Sequence, residues 1–479
     1  MSRRDPGRLD RRLFLGGAAA VGCLSLQDGA AGAPAQPNVR TLAPGPHLFL
    51  DDYLIEFSQG VERRVVQPQR DLPGPVVTGP EDRNFQPYFT VVRDPDTRRF
   101  RMWYGVPENS SQSHLALIES EDGIRWIRPH RVLADPDRVQ FGCSVLDEGP
   151  AFPDRSKRYK WGWHDAGGLK VAASPDGIQW KLMAPGVVLR HDHDINSIYR
   201  DPIRKVYTAF VSTYTTGPTW KGQRRVTMQS TSLDLIQWEK PWFVITPVDG
   251  RPEDGKDQPE TQFYCMSGLL ARGNLLIGMV KVLHDDWKAD DPPDPPDAYG
   301  VGYTTLAWSR DGRTWTRDRT PYLERDLAKS AWDHAHAWID CQLPVGELVH
   351  LYYGGYKRGH KVERFTERQI GLLRIRQDRY VARAAGEAPG LLRTPTLAIQ
   401  GRRLTANVDA SGGELSARLL DADGKPVRGF DYEDCATVRA DAVAAPLAWK
   451  RSLDSLKGRP VRLELRLRKA RLFALGVEA

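Results

Sequence analysis

Short apolar stretches separated by turn residues run along most of the chain. Residues 88–92 (Tyr-Phe-Thr-Val-Val) and 100–104 (Phe-Arg-Met-Trp-Tyr) form the first such pair, and residues 196–199 and 206–210 repeat it further along. An Asp-Pro cluster joins the two stretches in each pair. Stretches this short, rich in aromatic and β-branched residues and bounded by turn residues, predict β-strands rather than helices.

A seven-residue motif recurs after these strand pairs. Residues 120–126 read Ser-Glu-Asp-Gly-Ile-Arg-Trp, related copies occupy residues 174–180, 232–238 and 309–315, and residues 376–380 form a degenerate fifth copy. Gly permits the positive φ of a tight turn and Asp accepts hydrogen bonds from its own backbone, so each copy predicts strand, turn and strand. The Trp is expected to pack under the turn. We interpret the motif as structural and assign it no chemistry.

The motif marks a repeating unit of four strands. The serines of the four clear copies are 54, 58 and 77 residues apart, and self-similarity at such spacing indicates a repeat architecture. Five units of four strands predict an all-β fold, a five-bladed β-propeller over residues 45–385. The third interval is 19 to 23 residues longer than the others, which predicts an insertion at residues 285–297, where Pro and Asp surround Trp287.

The pattern changes at both ends of the repeats. Residues 47–55 (His-Leu-Phe-Leu-Asp-Asp-Tyr-Leu-Ile) predict a strand that either helps to close the ring or lies beside the first blade. Beyond Pro389 and Gly390 the motif ends, and alternating strands follow with a hairpin turn at residues 421–425. Residues 390–479 therefore predict a small antiparallel β-sandwich after the propeller.

Residues 1–35 have the features of an export signal. Arg11 and Arg12 precede an apolar run, residues 14–26, that is too short to span a bilayer, and residues 33–35 (Ala-Pro-Ala) offer a cleavage site. The segment resembles a twin-arginine signal, which predicts a periplasmic or secreted protein. The alternative is a lipoprotein box that ends at Cys23. The rest of the sequence predicts no membrane-spanning segment.

Composition narrows the class of partner. The chain has 479 residues, with 68 Lys and Arg against 61 Asp and Glu, and a formal net charge of +7. This excess is small and the sequence has no basic cluster interleaved with aromatics, so we expect no nucleic-acid partner. The five cysteines form no CxxC or Cys/His pattern, so we expect buried free thiols and no zinc site.

Three features together resemble a group of carbohydrate-active enzymes. The Asp-Gly-x-x-Trp turns, the opening residues 48–54 and the terminal sandwich look like the five-bladed glycoside hydrolases of families 32, 43 and 68, and more closely like exported family-32-like bacterial proteins. The resemblance covers most of the chain after residue 40. It implies a glycoside hydrolase acting on oligo- or polysaccharides, with three carboxylates from inner strands at the propeller axis. One acts on water or the anomeric carbon, one is the general acid and one positions the sugar.

The sequence also departs from those families. It lacks the family-32 motif Trp-Met-Asn-Asp-Pro-Asn-Gly and the Glu-Cys acid motif. Asp201 lies in an Arg-Asp-Pro triplet like that of family 32, yet Asp94 lies in the same triplet at the same place of its own unit. A triplet repeated between the first two strands of a unit indicates a turn.

Candidate site residues are the polar residues that precede or begin each predicted inner strand, because inner strands converge at the axis of a propeller. On this ground we predict Asp82, Asp194 and Glu260 as the catalytic carboxylates. Glu260 borders an apolar strand, which would raise its pKa, so it is the predicted general acid. The predicted sugar contacts are Asn84, Asp192, His193, Asp333 and His336, together with the ring of Trp287 in the insertion.

Two other functions fit the same scaffold. A glycoside phosphorylase needs a phosphate pocket, which residues 357–361 (Lys-Arg-Gly-His-Lys) could supply, although export disfavours phosphorolysis. A sugar-binding propeller without catalysis is the third hypothesis. The His-x-His pairs at residues 191–193 and 334–336 place two rings on one strand face, yet we expect sugar-binding or surface histidines and no cofactor. An axial calcium ion is the alternative left open.

Overall fold

The structure, a computed structural model, describes residues 39–479 apart from residues 86–87, 110, 249–260, 291, 361, 363–366 and 457. In these described ranges the regular elements are almost all strands. The helical elements among them are α1 (Gly79–Asp82) and three 3₁₀ helices at Arg155–Lys157, Tyr432–Asp434 and Leu453–Leu456. The predicted export signal and Glu260 lie outside the described residues.

None of the helices in the described ranges has the length and apolar character needed to cross a membrane.

Four short strands precede helix α1, namely β1 (Arg40–Leu42), β2 (Gly45–Leu48), β3 (Phe57–Gln59) and β4 (Glu62–Val65). Helix α1 begins at a Thr78 cap, whose hydroxyl accepts a hydrogen bond from the amide of Glu81 at 3.2 Å. It ends at Arg83, which has a left-handed φ of 56°.

Five antiparallel groups of strands, the blades, follow helix α1, and one parallel bridge from Gly302 to His336 joins the fourth and fifth groups into a single sheet. Blade one contains β5 (Phe89–Arg93), β6 (Phe100–Asn109), β7 (Gln112–Ser120) and β8 (Trp126–Val132). Blade two contains β9 (Phe141–Asp147), β10 (Tyr159–Asp165), β11 (Gly168–Ser174), β12 (Lys181–Leu182) and β13 (Leu189–Arg190). Blade three contains β14 (Asn196–Asp201), β15 (Val206–Gly217), β16 (Trp220–Ser232) and β17 (Trp242–Ile245). Blade four contains β18 (Thr261–Arg272), β19 (Leu275–Lys288), β20 (Tyr299–Ser309) and β21 (Thr316–Leu323), and blade five contains β22 (His336–Val345), β23 (Leu348–Tyr356) and β24 (Gln369–Arg376).

The first strands of the five blades form a closed ring. Strand β5 contacts β9, β9 contacts β14, β14 contacts β18, β18 contacts β22, and β22 contacts β5. The all-β, five-bladed propeller predicted from the repeats is therefore confirmed. The Arg-Asp-Pro triplets are turns, as predicted. Asp94 Oδ1 accepts hydrogen bonds from the amides of Asp96 and Thr97, and Asp201 Oδ1 accepts from the amides of Ile203 and Arg204.

The recurring Asp turns have one geometry. In the first copy, Ser120 Oγ accepts from the Gly123 amide at 2.9 Å, and Asp122 Oδ1 accepts from the amides of Ile124 and Arg125 at 2.8 Å each. Gly123 has a φ of 75°, which explains the glycine at this position. The turns fold the strands back as predicted.

The same turns also connect neighbouring blades. The carbonyl of Gly123 in blade one accepts a hydrogen bond from Tyr352 Oη of blade five at 2.9 Å. The carbonyl of Gly177 in blade two accepts from Trp103 Nε1 of blade one at 2.8 Å. Each of these turns therefore holds its blade to the preceding one around the ring.

The remaining strands build two sheets that share one core, and a third sheet of two strands. They are β25 (Val381–Ala385), β26 (Gly390–Arg393), β27 (Leu397–Ile399), β28 (Arg403–Asp409), β29 (Glu414–Leu420), β30 (Asp441–Leu447), β31 (Arg462–Arg468) and β32 (Ala470–Glu478). One sheet has the order β30-β28-β32-β25-β4, and the other has the order β29-β31-β26-β3. Leu404 and Leu475 of the first sheet and Leu415 and Leu463 of the second belong to one buried cluster. This is the predicted small β-sandwich.

The first described strands belong to the sandwich, which differs from the sequence-based expectation. Strand β2 overlaps the start of residues 47–55. It pairs with β32 and does not close the ring. Strands β3 and β4 pair with β26 and β25, and Leu42, Phe49 and Leu54 lie in the sandwich core. Residues 45–65 therefore do not form propeller strands, because their apolar side chains are buried against the C-terminal strands.

A later segment, residues 69–77, closes the propeller instead. Gln69 and Val77 form bridges with Arg374 and Ile370 of β24, and the Ile370 amide donates to the Val77 carbonyl at 2.8 Å. The segment takes the position of a fourth strand in blade five. It covers the outer edge of that sheet, which would otherwise expose unpaired backbone groups.

The cysteines match the expectation of buried free thiols. Cys143, Cys265, Cys341 and Cys435, the four cysteines within the described ranges, are all buried and unbridged. The first three lie on the inner strands β9, β18 and β22.

Candidate functional site

A cavity of about 360 Å³ lies where the inner strands begin. Blade two contributes Gln140, Phe141 and His164, and blade three contributes Asp192, His193, Asp194 and Arg225. Tyr264, Asp285 and His360 complete the described lining. The cavity is therefore at the position where the sequence predicted functional residues, immediately ahead of the inner strands.

A chain of two hydrogen bonds crosses the blade-three side of the cavity. Arg225 Nη2 lies 2.8 Å from His193 Nε2, and His193 Nδ1 lies 2.7 Å from Asp194 Oδ1. A guanidinium can only donate, so His193 Nε2 must accept and the ring proton must lie on Nδ1. In this tautomer His193 donates its Nδ1–H to Asp194.

Asp194 is the carboxylate whose ionised form this arrangement favours. Its side chain is 22 % exposed. Burial raises the pKa of Asp194, but the hydrogen bond from His193 and the nearby charge of Arg225 outweigh burial and leave the pKa below its ordinary value. At neutral pH this group is a carboxylate, suited to act as a base or nucleophile and not as an acid.

The side chain of Arg225 packs on the aromatic ring of Tyr264. Its guanidinium carbon lies 3.6 Å from the centre of the Tyr264 ring, a close cation–π contact. Tyr264 also stacks on Trp338, with ring centres 5.0 Å apart, and its hydroxyl lies 2.9 Å from His360 Nε2. These contacts join blades three, four and five beneath the cavity.

Two further carboxylates line the cavity. Asp192 is exposed, and its Oδ1 accepts from Thr213 Oγ1 at 2.9 Å and from the Tyr214 amide at 3.0 Å. Asp285, near the end of β19, accepts a hydrogen bond from Gln262 Nε2. Together with Asp194 they give the cavity three carboxylates, contributed by blades three and four.

Two buried histidines lie behind these groups. The rings of His164 and His191 are 4.8 Å apart. Burial lowers the pKa of His164, and it lowers the pKa of His191 to about 3. The ring of His191 is therefore neutral at neutral pH. Within the described ranges, no group of three or more His, Cys, Asp or Glu side chains is arranged to hold a metal ion.

Asp82 lies elsewhere, in a structural ion pair. Its carboxylate is buried and is bound by Arg128 of β8, with Nε to Oδ1 at 2.9 Å and Nη2 to Oδ2 at 2.8 Å. The Thr78 amide donates to Oδ2 at 3.0 Å. Asp82 does not line the cavity, and its contacts tie helix α1 to the outer strand of blade one. Its catalytic role stays a prediction from sequence.

Two of the predicted sugar contacts are also bound within the protein. Asp333 is buried, and its Oδ2 accepts from Arg70 Nε at 2.7 Å and from Tyr353 Oη at 3.0 Å. Asn84 is buried, with its side-chain amide donating to the Arg368 carbonyl at 3.3 Å. Neither side chain lines the cavity.

The remaining predicted residues fall at or near the cavity. His336 is fully buried, with its ring centre 5.7 Å from that of His360, and burial lowers its pKa. Trp287 is exposed and stacks on His284 with ring centres 3.8 Å apart. Asp192, His193 and Asp194 line the cavity directly. The arrangement of Asp194 and Glu260 across a bond stays a prediction, because Glu260 lies outside the described residues.

Several cavity residues were not among the predicted site residues. Arg225 lies on β16 and Asp285 near the end of β19, so neither precedes an inner strand in sequence. Tyr264 lies on inner strand β18, but its sequence context is that of an ordinary core aromatic. No local pattern marks these three residues, since the register of three neighbouring strands brings them together.

Comparisons with known proteins are limited to similarity of structure. No protein-family model matches the chain, and no curated protein sequence matches it. Similar solved structures include a glycosyl hydrolase from Bacteroides ovatus, with 16% identity over 68% of this chain and 96% of that chain and a TM-score of 0.43.

Two further structures are similar at the same level. One is an N-acetylgalactosamine deacetylase from F. plautii in complex with blood group B trisaccharide, with 15% identity over 71% of this chain and 96% of that chain and a TM-score of 0.44. The other comes from the mannoside phosphorylases of family 130, a family described as containing glycoside hydrolases that target β-1,2 mannosidic linkages in Candida mannan. It has 14% identity over 68% of this chain and 96% of that chain, with a TM-score of 0.39. At TM-scores this low, these similarities carry no argument about what this chain does.

Proposed function

We propose that the chain is a glycoside hydrolase that cleaves glycosidic bonds of oligo- or polysaccharides in the cavity around Asp194. The observation that carries the proposal is a carboxylate hydrogen-bonded to His193, which is in turn bonded to Arg225, ahead of an inner strand, with Asp192 and Asp285 lining the same cavity. Glycosidic cleavage needs one ionised and one protonated carboxyl group on the two sides of the bond.

Asp194 supplies the ionised group in this proposal. Its lowered pKa keeps it deprotonated, so it activates water or attacks the anomeric carbon. Two residues are candidates for the general acid. Glu260 is the candidate from sequence, and Asp285 is the candidate from the described lining of the cavity.

The charged side chains that line the cavity favour the hydrolase hypothesis over the phosphorylase hypothesis. Arg225 is the one Lys or Arg in the described lining of the cavity, against three carboxylates. A surplus of carboxylates repels a phosphate ion. In the segment proposed for a phosphate pocket, Arg358 is paired with Glu367 at 2.9 Å, so part of its charge is already neutralised.

The test is release of reducing sugar from a panel of plant and microbial glycans, with and without inorganic phosphate. We expect turnover without phosphate. Asp194→Asn should lower kcat by about 10²–10⁴-fold on all substrates, the usual contribution of a positioned acid or base. Asp286→Asn is the matched control, since Asp286 is an exposed carboxylate next to Asp285 that does not line the cavity.

A second comparison identifies the general acid. Glu260→Gln and Asp285→Asn are assayed on a natural glycan and on the corresponding aryl glycoside with an activated leaving group. The variant that has lost the acid should be strongly impaired on the natural glycan and much less impaired on the aryl glycoside. Full activity of Asp194→Asn would refute the proposed site. Strict dependence on phosphate would favour a phosphorylase, and glycan binding without turnover would favour a sugar-binding propeller.

We also propose that the protein is exported through its twin-arginine segment. The support is the sequence of residues 1–35 alone. Mass spectrometry of the mature protein should find an N-terminus near residue 36. An intact Met1 would contradict export, and a lipid on Cys23 would identify a lipoprotein instead.

A further inference from the structure

Three exposed aromatic side chains stand beside the cavity. Tyr214, Trp287 and Tyr299 are 42%, 37% and 40% exposed. The other exposed aromatics of the described ranges, Phe57 and Phe243, lie on the sandwich strand β3 and on the outer strand β17 of blade three. Three of the five exposed aromatic rings in the described ranges are therefore close to the candidate site.

Tyr214 adjoins the blade-three wall of the cavity. Its backbone amide donates to Asp192 Oδ1 at 3.0 Å, and its ring centre lies 6.3 Å from that of His193 in an edge-on arrangement. Both of these partners line the cavity. The ring of Tyr214 thus stands next to the residues that hold Asp194.

Trp287 forms a flat platform on the blade-four side. It lies two residues after the cavity residue Asp285, where the pairing of β19 with β20 is irregular between His284 and Lys288. One face of the indole stacks on the buried His284, at 3.8 Å between ring centres and 12° between planes. The histidine supports the ring from one side and leaves the indole exposed on the other.

Tyr299 continues the same edge. Tyr299 of β20 pairs with Lys288 of β19, the neighbour of Trp287. The carbonyl of Tyr299 accepts a hydrogen bond from the amide of the cavity residue His360 at 3.0 Å. Trp287 and Tyr299 therefore lie on adjoining strands at the mouth of the cavity.

We propose that Tyr214, Trp287 and Tyr299 form an aromatic rim that binds the sugar units of a glycan lying outside the cavity. The proposal rests on the proposed function and names its substrate class, oligosaccharide chains that extend past the cavity rather than disaccharides. The cavity volume lies near the lower end of the 300–1,000 Å³ range of small-molecule sites, so only the end of a longer glycan fits inside it. Sugar rings present apolar C–H faces, and a rigid exposed aromatic ring offers such a face a large contact area at small entropic cost.

The test compares long and short substrates on the same variants. Trp287→Ala and Tyr299→Ala are assayed on a pentasaccharide of the glycan series that the wild type hydrolyses and on the corresponding 4-nitrophenyl monosaccharide glycoside. We expect KM for the pentasaccharide to rise about three- to tenfold per ring, as for a lost aromatic contact. KM for the aryl glycoside and kcat for both substrates should stay unchanged, because the chemistry takes place in the cavity.

Phe243→Ala is the matched control, since Phe243 is equally exposed but lies on the outer strand of blade three. It should leave both substrates unaffected. The proposed rim would be overturned if Trp287→Ala changed KM equally for the long and the short substrate, or changed it for neither.

Failure of the hydrolase proposal has a different signature. If the wild type turns over no glycoside, electrophoresis through gels containing mannan, arabinan, xylan or levan tests the rim alone. Retardation that is lost in Trp287→Ala but kept in Phe243→Ala would uphold the rim without hydrolysis. No retardation by any of the four glycans would overturn the rim as well.

Discussion

The Nδ1–H of His193 donates to Oδ1 of Asp194 at 2.7 Å, while Nε2 of the same ring accepts from Arg225 at 2.8 Å. One imidazole thus connects a buried guanidinium to the carboxylate that precedes inner strand β14. Arg225 is itself fixed on the ring of Tyr264. The ionised state of Asp194 therefore depends on residues of blades three and four together.

Removing the imidazole should change the pH dependence of the enzyme. In His193→Ala we expect the acidic limb of the kcat/KM profile to move to higher pH. The hydrogen bond from His193 opposes the effect of burial on the pKa of Asp194, so without it burial raises that pKa. The measurement is kcat/KM as a function of pH on one glycan.

His114→Ala is the control for this experiment, because His114 pairs with Asp135 at the same 2.7 Å distance in blade one, away from the cavity. Its profile should match that of the wild type. A loss of activity in His193→Ala with an unmoved acidic limb would show that His193 does not set the pKa of Asp194.

Asp82→Ala should destabilise the fold. The carboxylate of Asp82 is buried against Arg128 with two hydrogen bonds, and removing one partner of such a pair costs about 3 kcal/mol or more. The free energy of unfolding, measured with urea, should fall by this amount. In Arg128→Met the free energy of unfolding should fall at least as far, because this change leaves Asp82 buried without its cation.

The double variant Asp82→Ala/Arg128→Met should be less destabilised than the sum of the single variants, as expected of a direct pair. Asp82→Asn then separates the two roles of this residue. Unchanged stability with abolished turnover would restore Asp82 as the catalytic carboxylate that its position ahead of an inner strand suggested.

The fold could be predicted from the sequence because the strongest signals in the sequence, the recurring turns, are local. Each Ser-x-Asp turn is complete within seven residues, and four clear copies with a degenerate fifth define the strand order and the number of blades. The same local reasoning found Asp192, His193 and Asp194, since residues ahead of β14 meet the axis directly. It could not anticipate partners that lie far away along the chain, such as Arg128 for Asp82, Arg70 for Asp333, and strand β24 for the closing segment at residues 69–77.

The other cavity residues could not be found from the sequence for a related reason. Arg225 and Asp285 belong to strands behind or beside the inner ones, and their positions depend on how far β16 and β19 extend past the ring. That extent is a property of sheet register and of the packing between blades. A sequence pattern does not encode either of these over one strand alone.

Leu235→Gly tests which force dominates in the third turn. Leu235 occupies the position held by glycine in the other copies and has a left-handed φ of 69°, which costs about 1–2 kcal/mol for a side chain. It is also fully buried in the cluster of Leu169, Ile198 and Tyr207, where loss of the side chain costs about 2–5 kcal/mol.

Packing should win in this variant. We expect Leu235→Gly to lower the free energy of unfolding by roughly 1–3 kcal/mol, the difference between these two effects. Leu233→Gly, in the same turn but 80% exposed, should change it much less. A stabilised Leu235→Gly variant would mean that backbone strain outweighs the buried side chain.

The Asp turns should make stability depend on acid pH, with Asp311 as the clearest case. Burial opposes ionisation of Asp311, but the amides of Thr314 and Arg313 donate to its carboxylate and lower its pKa to about 2. A carboxyl group whose pKa is lowered by folding adds stability above its unfolded pKa, and this stability is lost as pH falls through the folded pKa.

We therefore expect Asp311→Ala to be less stable than the wild type by about 1–2 kcal/mol at neutral pH, the usual worth of such a backbone cap. Urea denaturation across pH should show this difference shrinking as pH falls from about 4 to about 2, while Asp423→Ala, in the exposed hairpin at residues 421–425, should follow the wild type throughout. A difference that stays constant down to pH of about 2 would mean that the carboxylate charge of Asp311 does not stabilise the turn.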